Sequence, residues 1–165
     1  MQTSQNPISM RQIAADLQQL GARLDWLAPL AIRLVFGYFW AETGWAKLHN
    51  LDAFAERFAQ WGIPWPSLSA LACAVVEFGG GLLMMLGLAT RLTMLALIVN
   101  MLVALIVVVL PGVSTLDEFV ELDEVLYLLV FLWLLIAGAG RISVDAWLLG
   151  RIDRRLLQPR ALHQR

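Results

Sequence analysis

Four side chains sit inside apolar stretches where a membrane helix normally carries no polar group: Arg33, Glu42, Glu77 and Asn100. Holding an ionised side chain at mid-bilayer costs about 2.5–3.5 kcal/mol on insertion scales, so those that are retained turn inward and find partners. Arg33 stands roughly two turns into the first apolar stretch, and Glu42 lies in its far half. Glu77 is near the middle of the second stretch and Asn100 near the middle of the third. A second span running against the first leaves Arg33 offset from Glu77 by a gap that a long guanidinium can close along the helix. The expectation is an Arg33–Glu77 pair, which lets both charges persist at low dielectric. It serves either to fix helix register or as a proton-linked or ligand-binding pocket. The Asn100 amide must hydrogen-bond across the bundle, as glue between helices or as part of that site. Lys47, His49, Glu121 and Glu124 fall near one level toward the outer face. They are expected as an outer-face cluster of charges bathed in water. No residue type or spacing marks a catalytic group.

Several chemistries are excluded. The only histidines, His49 and His163, lie in a loop and a tail, so no helical pair can hold a haem. No Cys/His cluster has zinc or iron–sulfur spacing, so no metal site is expected. No glycine-rich phosphate loop or serine-nucleophile motif is present. Cys73 is the single cysteine and cannot form an internal disulfide. A net charge of −1 offers no basic excess for nucleic acid.

The elements that must position these residues are membrane helices. The chain is 59% hydrophobic and 15% charged, with a mean hydropathy of +0.69. Soluble domains are nearer 45–50% apolar and about 25% charged. Four stretches approach the roughly 20 residues needed to cross about 30 Å of hydrocarbon. They run near residues 26–48, 66–88, 92–110 and 120–139. They are too long and too uniformly apolar for strands, and only helices or closed barrels satisfy the backbone in lipid. The expected fold is an all-α membrane protein, an antiparallel four-transmembrane-helix bundle with short amphipathic interfacial helices.

Local signals support this division. Gly87 can stop one helix and Thr90 can cap the next, which makes the second and third spans a hairpin. Pro111 and Gly112 end the third span, and Thr115 with Glu118 has capping-box spacing. Leu51, Phe54, Phe58 and Trp61 recur at helical spacing and predict a short surface helix ended by Gly62 and Pro64. Residues 1–25 form an N-terminal amphipathic segment, with Ile13, Leu17, Leu20 and Leu24 on one stripe. The segment lacks the apolar core of a cleaved signal peptide. Residues 141–165 form a basic tail in which Trp147, Leu148, Ile152 and Leu156 alternate with Arg151, Arg154 and Arg155. Gly37, Ala41 and Gly44 on the first span, and Gly79–Gly81 after Glu77, mark close helix approach. Arg11, Arg23, Arg91 and the arginines from Arg141 onward fall on one side of an even number of spans, leaving only Lys47 and Arg57 opposite. By the positive-inside rule both termini are cytoplasmic.

The ordered landmarks are similar to those of the DoxX family of small membrane proteins. Arg33 is followed by Gly37, Gly44 and Lys47–Leu48, and Phe54 and Phe58 precede Gly62–Ile63–Pro64. Glu77 leads into Gly80, Leu83, Gly87–Leu88 and Thr90–Arg91, and Gly138 and Gly140 lead into Ser143 and Asp145. The resemblance implies a compact four-helix bundle in a bacterial inner membrane. It implies a quinone-linked redox role as well, since the namesake is a small membrane subunit of a thiosulfate:quinone oxidoreductase. Arg33 and Glu77 match the family's recurrent polar positions. No cofactor motif is evident, and quinone is the ligand that the resemblance suggests. The partners expected are the lipid bilayer and either another protein or a second copy of the chain. The alternatives are a membrane anchor or assembly partner, and a small oligomeric transporter with Glu42 and Glu77 along its path. Whether the protein is itself an enzyme stays open.

Overall fold

A computed structural model describes residues 10–156 of the chain. Among the described residues the structure is helical throughout, without a strand. Helix α1 (Met10–Arg23) is followed by α2 (Leu27–His49), α3 (Leu51–Gln60), α4 (Pro66–Leu86) and α5 (Thr90–Val103). The chain leaves α5 through a π-helical turn at Ala104–Val109 and a 3-10 turn at Leu110–Gly112. Then come α6 (Leu116–Val120), α7 (Asp123–Ala137) and α8 (Val144–Leu156).

The helix boundaries follow from sequence chemistry. Gly87 closes α4 with φ +63°, a left-handed conformation that glycine adopts without steric cost. Thr115 and Glu118 form the full capping box at the start of α6. The fourth apolar stretch is broken, because α6 ends at Val120 and α7 restarts only at Asp123. Thr90 does not cap α5. Its N-cap is Ala89 at φ +48°, and the cap comes from a distant carboxylate described below.

Two helices are long and apolar enough to cross a membrane alone, Pro66–Leu86 with 21 residues and Thr90–Gly112 with 23. Helices α1 and α2 pass the same test only as a pair bent by 44°. Arg33 and Glu42 lower the hydropathy of α2, and α7 has 15 residues between its acidic start and Gly138. Length and composition thus give two spans, or three with the bent pair, where the sequence predicts four.

The four long helices α2, α4, α5 and α7 share one core. Trp40, Met84, Met94, Leu97, Met101, Phe131 and Leu134 are buried together. The Trp40 ring lies 5.3 Å from Tyr127 and 5.6 Å from Phe131. Helices α2 and α4 touch backbone to backbone: a Cβ at Gly44 would run into Phe78, and one at Gly81 into Ala41 and Gly37. The small residues noted on both helices permit this approach. Helix α1 has no buried residue.

Candidate functional site

Glu77 is the most buried carboxylate in the described chain, at 2% exposure. It sits in the middle of α4, where Gly44 and Gly81 let α2 press against the helix. That register brings Lys47, on the last turn of α2, over the carboxylate. Lys47 Nζ donates to both Glu77 oxygens, at 2.5 and 2.6 Å. From α5, Asn100 Nδ2 donates to Oε1 at 3.2 Å. One turn earlier on α4, the Cys73 thiol lies 3.4 Å from the same oxygen. Three helices therefore converge on one carboxylate, and Lys47 leaves the assembly charge-neutral. Short charge-assisted bonds of this kind are the strong ones, and they offset the cost of burying the ions.

The cluster faces a cavity of about 650 Å³. Its walls are apolar: Phe54 and Phe58 from α3, Trp61 just after it, Val76 from α4, and Val99 and Val108 from α5 and its π-helical extension. The polar groups on its lining are few, namely Lys47, Ser69, Cys73, Glu77, Asn100 and Glu124. A largely apolar cavity with a few convergent polar groups is the usual form of a small-molecule site. Lys47 Nζ also stands 4.9 Å from the centre of the Phe54 ring, which ties the α3 wall to the ion pair.

Arg33 belongs to a second polar assembly at the other end of the bundle. It is 1% exposed, and it donates to the carbonyls of Ala139 and Ile142 at 2.6 Å each. Beside it, Asp145 accepts from the Ala89 and Thr90 backbone amides at 2.8 and 2.9 Å, capping α5 from outside. The Asp145 amide in turn donates to the Gly87 carbonyl at 2.9 Å. Partial burial works to raise the Asp145 carboxyl, but the hydrogen bonds from Thr90 and Ala89 and the Arg33 charge outweigh it, so it lies below its ordinary value. This clasp ties α2, the α4–α5 turn and the α7–α8 connection together.

The family model for DoxX matches residues 28–110, half of the chain. The chain belongs to the DoxX family. No curated protein and no solved structure matches it significantly. The matched DoxX segment holds Lys47, Cys73, Glu77 and Asn100, and the cavity walls apart from Glu124. Arg33 lies within it too, whereas its acceptors Ala139 and Ile142 and its neighbour Asp145 lie beyond it.

The structure corrects the pairing expected in this DoxX chain. Arg33 and Glu77 do not meet. The guanidinium packs against Gly87, ten residues and about 15 Å of helix beyond Glu77 on α4. Backbone carbonyls freed near the end of α7 take its two terminal nitrogens there, while its buried Nε has no hydrogen-bond partner. Glu42 does not join either assembly and stands exposed on α2. The expected outer-face cluster also divides. Lys47 turns inward to Glu77, and Glu124 is half-buried on the cavity lining. His49 Nδ1 contacts the Trp45 carbonyl at 2.9 Å, and Glu121 is exposed at the end of α6. Glu77 and Asn100 do come together. Cys73 and the aromatic wall of α3 join the site beyond the sequence expectation; the four-residue step from Cys73 to Glu77, which places both on one helix face, is the signal for the thiol. Among the described residues no group of three or more His, Cys, Asp or Glu could hold a metal ion. Arg154, Arg155, Arg160, Arg165 and His163 lie outside the described side chains.

Proposed function

We propose that this DoxX protein is a bacterial inner-membrane subunit that binds a quinone ring in the Glu77 cavity and works with a redox partner. In this reading α2, α4, α5 with its extension, and α7 all cross the bilayer, with both termini cytoplasmic. The observation that carries it is the neutral Lys47–Glu77–Asn100 cluster at the wall of an apolar cavity of about 650 Å³. Lys47 and Asn100 are donors suited to quinone carbonyls, and Glu77 is an acceptor for a quinol hydroxyl. The uncharged ring matches a site whose own charges cancel, and the apolar walls suit an isoprenoid tail. The electron donor sits on another protein.

Trp61 on the cavity wall supplies the test, because a bound quinone quenches a nearby indole. Titrating the purified protein in nanodiscs with a lipophilic quinone should give saturable quenching that Trp61→Phe removes. Glu77→Gln should weaken binding and abolish quinone-dependent activity in membranes while the protein stays folded. Loss of the folded protein would instead make the cluster purely structural. The second reading, a membrane anchor or assembly partner, is favoured by α1, whose apolar residues Ile13, Leu17 and Leu20 are all exposed. A stable complex in mild detergent, lost on deleting α1 and indifferent to Glu77→Gln, would support it.

A further inference from the structure

The packing around Glu77 differs toward the two ends of the bundle. Ser69, Cys73 and Glu77 recur every fourth residue, so they share one face of α4 and form a polar line along the cavity wall. The line starts beside the loop after α3, where Ser69 Oγ donates to the Pro64 carbonyl at 2.7 Å. Across the cavity, Glu124 brings a second carboxylate from the first turn of α7, at the same end of the bundle. Lys47 keeps 25% of its side-chain surface exposed, against 3% for Glu77. Toward the opposite end the way is filled. Gly80 packs on Leu97, and Met84, Met94, Phe131 and Leu134 are fully buried. Beyond them the Arg33–Asp145 clasp closes the bundle.

We propose that the Glu77 cluster exchanges protons with one aqueous face only, the face bearing α3 and α6, along Ser69, Cys73, Lys47 and Glu124. The face bearing α1 and α8 is sealed from it. This deepens the quinone reading by giving the ring's redox protons a single side of uptake and release, though one-sided access itself needs no quinone. Water or a carboxylic acid can carry a proton along such a line, whereas a close-packed core of methionine, leucine and phenylalanine side chains offers no acceptor.

Cys73 is the chain's single cysteine and reports on this directly. The native protein, and a Cys73→Ser/Ser69→Cys variant with the thiol nearer the mouth, are reconstituted in vesicles. Orientation is scored by protease cleavage of a tag on the C-terminus. A small charged, membrane-impermeant thiosulfonate reagent is then added to either face. Both thiols should label from the α3/α6 face, the Ser69→Cys thiol faster, and neither should label above background from the termini face. Labelling from the termini face overturns the inference. So does labelling only by a membrane-permeant maleimide, which would mean access from lipid alone. One-sided labelling together with absent Trp61 quenching would sink the quinone reading and leave the access path standing.

Discussion

At the scale of single residues, the chemistry rests on which partner each buried charge finds. Glu77 is held by Lys47, Asn100 and Cys73. Removing the lysine strands a carboxylate at 2% exposure, and breaking a buried pair from one side costs about 3–5 kcal/mol. Lys47→Met should therefore lower thermal stability in detergent sharply. Lys47→Met combined with Glu77→Leu should recover much of the loss, because no charge is then left alone. Glu77→Gln should be mild, since Lys47 is partly exposed and the amide can still bond Asn100. Glu77 and Asn100 are legible from sequence, because a polar group in an apolar stretch must turn inward. Their partner is not. Lys47 lies near a helix end, where solvent is an equally good destination, and only the α2–α4 register decides between them. Arg33 misleads for the same reason. Its charge demands partners, but backbone carbonyls released near a helix C-terminus serve as well as a carboxylate.

At the scale of elements, that register is set by glycine. A Cβ at Gly44 or Gly81 would overlap the facing backbone, where no flexible side chain can yield. Gly81→Leu should push α2 from α4, cost more than the 1–3 kcal/mol typical of overpacking, and pull Lys47 off Glu77. Gly79→Ala is the control, because nothing lies within 4 Å of a Cβ there. Proteolysis rates in detergent would separate the two. The clasp makes its own prediction. Asp145 caps α5 across the fold, and its carboxyl lies below the ordinary value. Its contribution is therefore complete above the ordinary carboxylate pKa of about 4 and is lost as pH falls through the lower folded value. Asp145→Asn should cost about 0.5–2 kcal/mol at neutral pH and flatten the acid limb of thermal stability. The cap is invisible in sequence because donor and acceptor are 55 residues apart. The capping box at Thr115 and the stop at Gly87 are local, and both are readable from residue order.

At the scale of the whole molecule, the bundle is polar at both ends and sealed between them. The cavity at Glu77 is walled by α3 and by the first turn of α7. In the proposed topology α1 and α8 are cytoplasmic, so a reporter fused after α8 should be active only as a cytoplasmic marker. A cysteine placed at exposed Glu121, in a Cys73→Ser background, should label from outside intact cells. The proposed four crossings require both results. Composition reveals membrane helices and the rough positions of four apolar stretches. It overstates their length, because the break at Glu121–Leu122 and the stop at Gly138 shorten α7 to 15 residues.

The most direct test of the quinone-binding claim is photolabelling of the reconstituted protein with an azidoquinone, the adducts being mapped by mass spectrometry. Adducts should fall on the cavity walls, at Phe54, Phe58, Trp61 or the Val99–Val108 stretch, competed by unmodified quinone and reduced by Glu77→Gln. Adducts spread over the lipid-facing surface of the helices, unchanged by competitor and by Glu77→Gln, would contradict the claim.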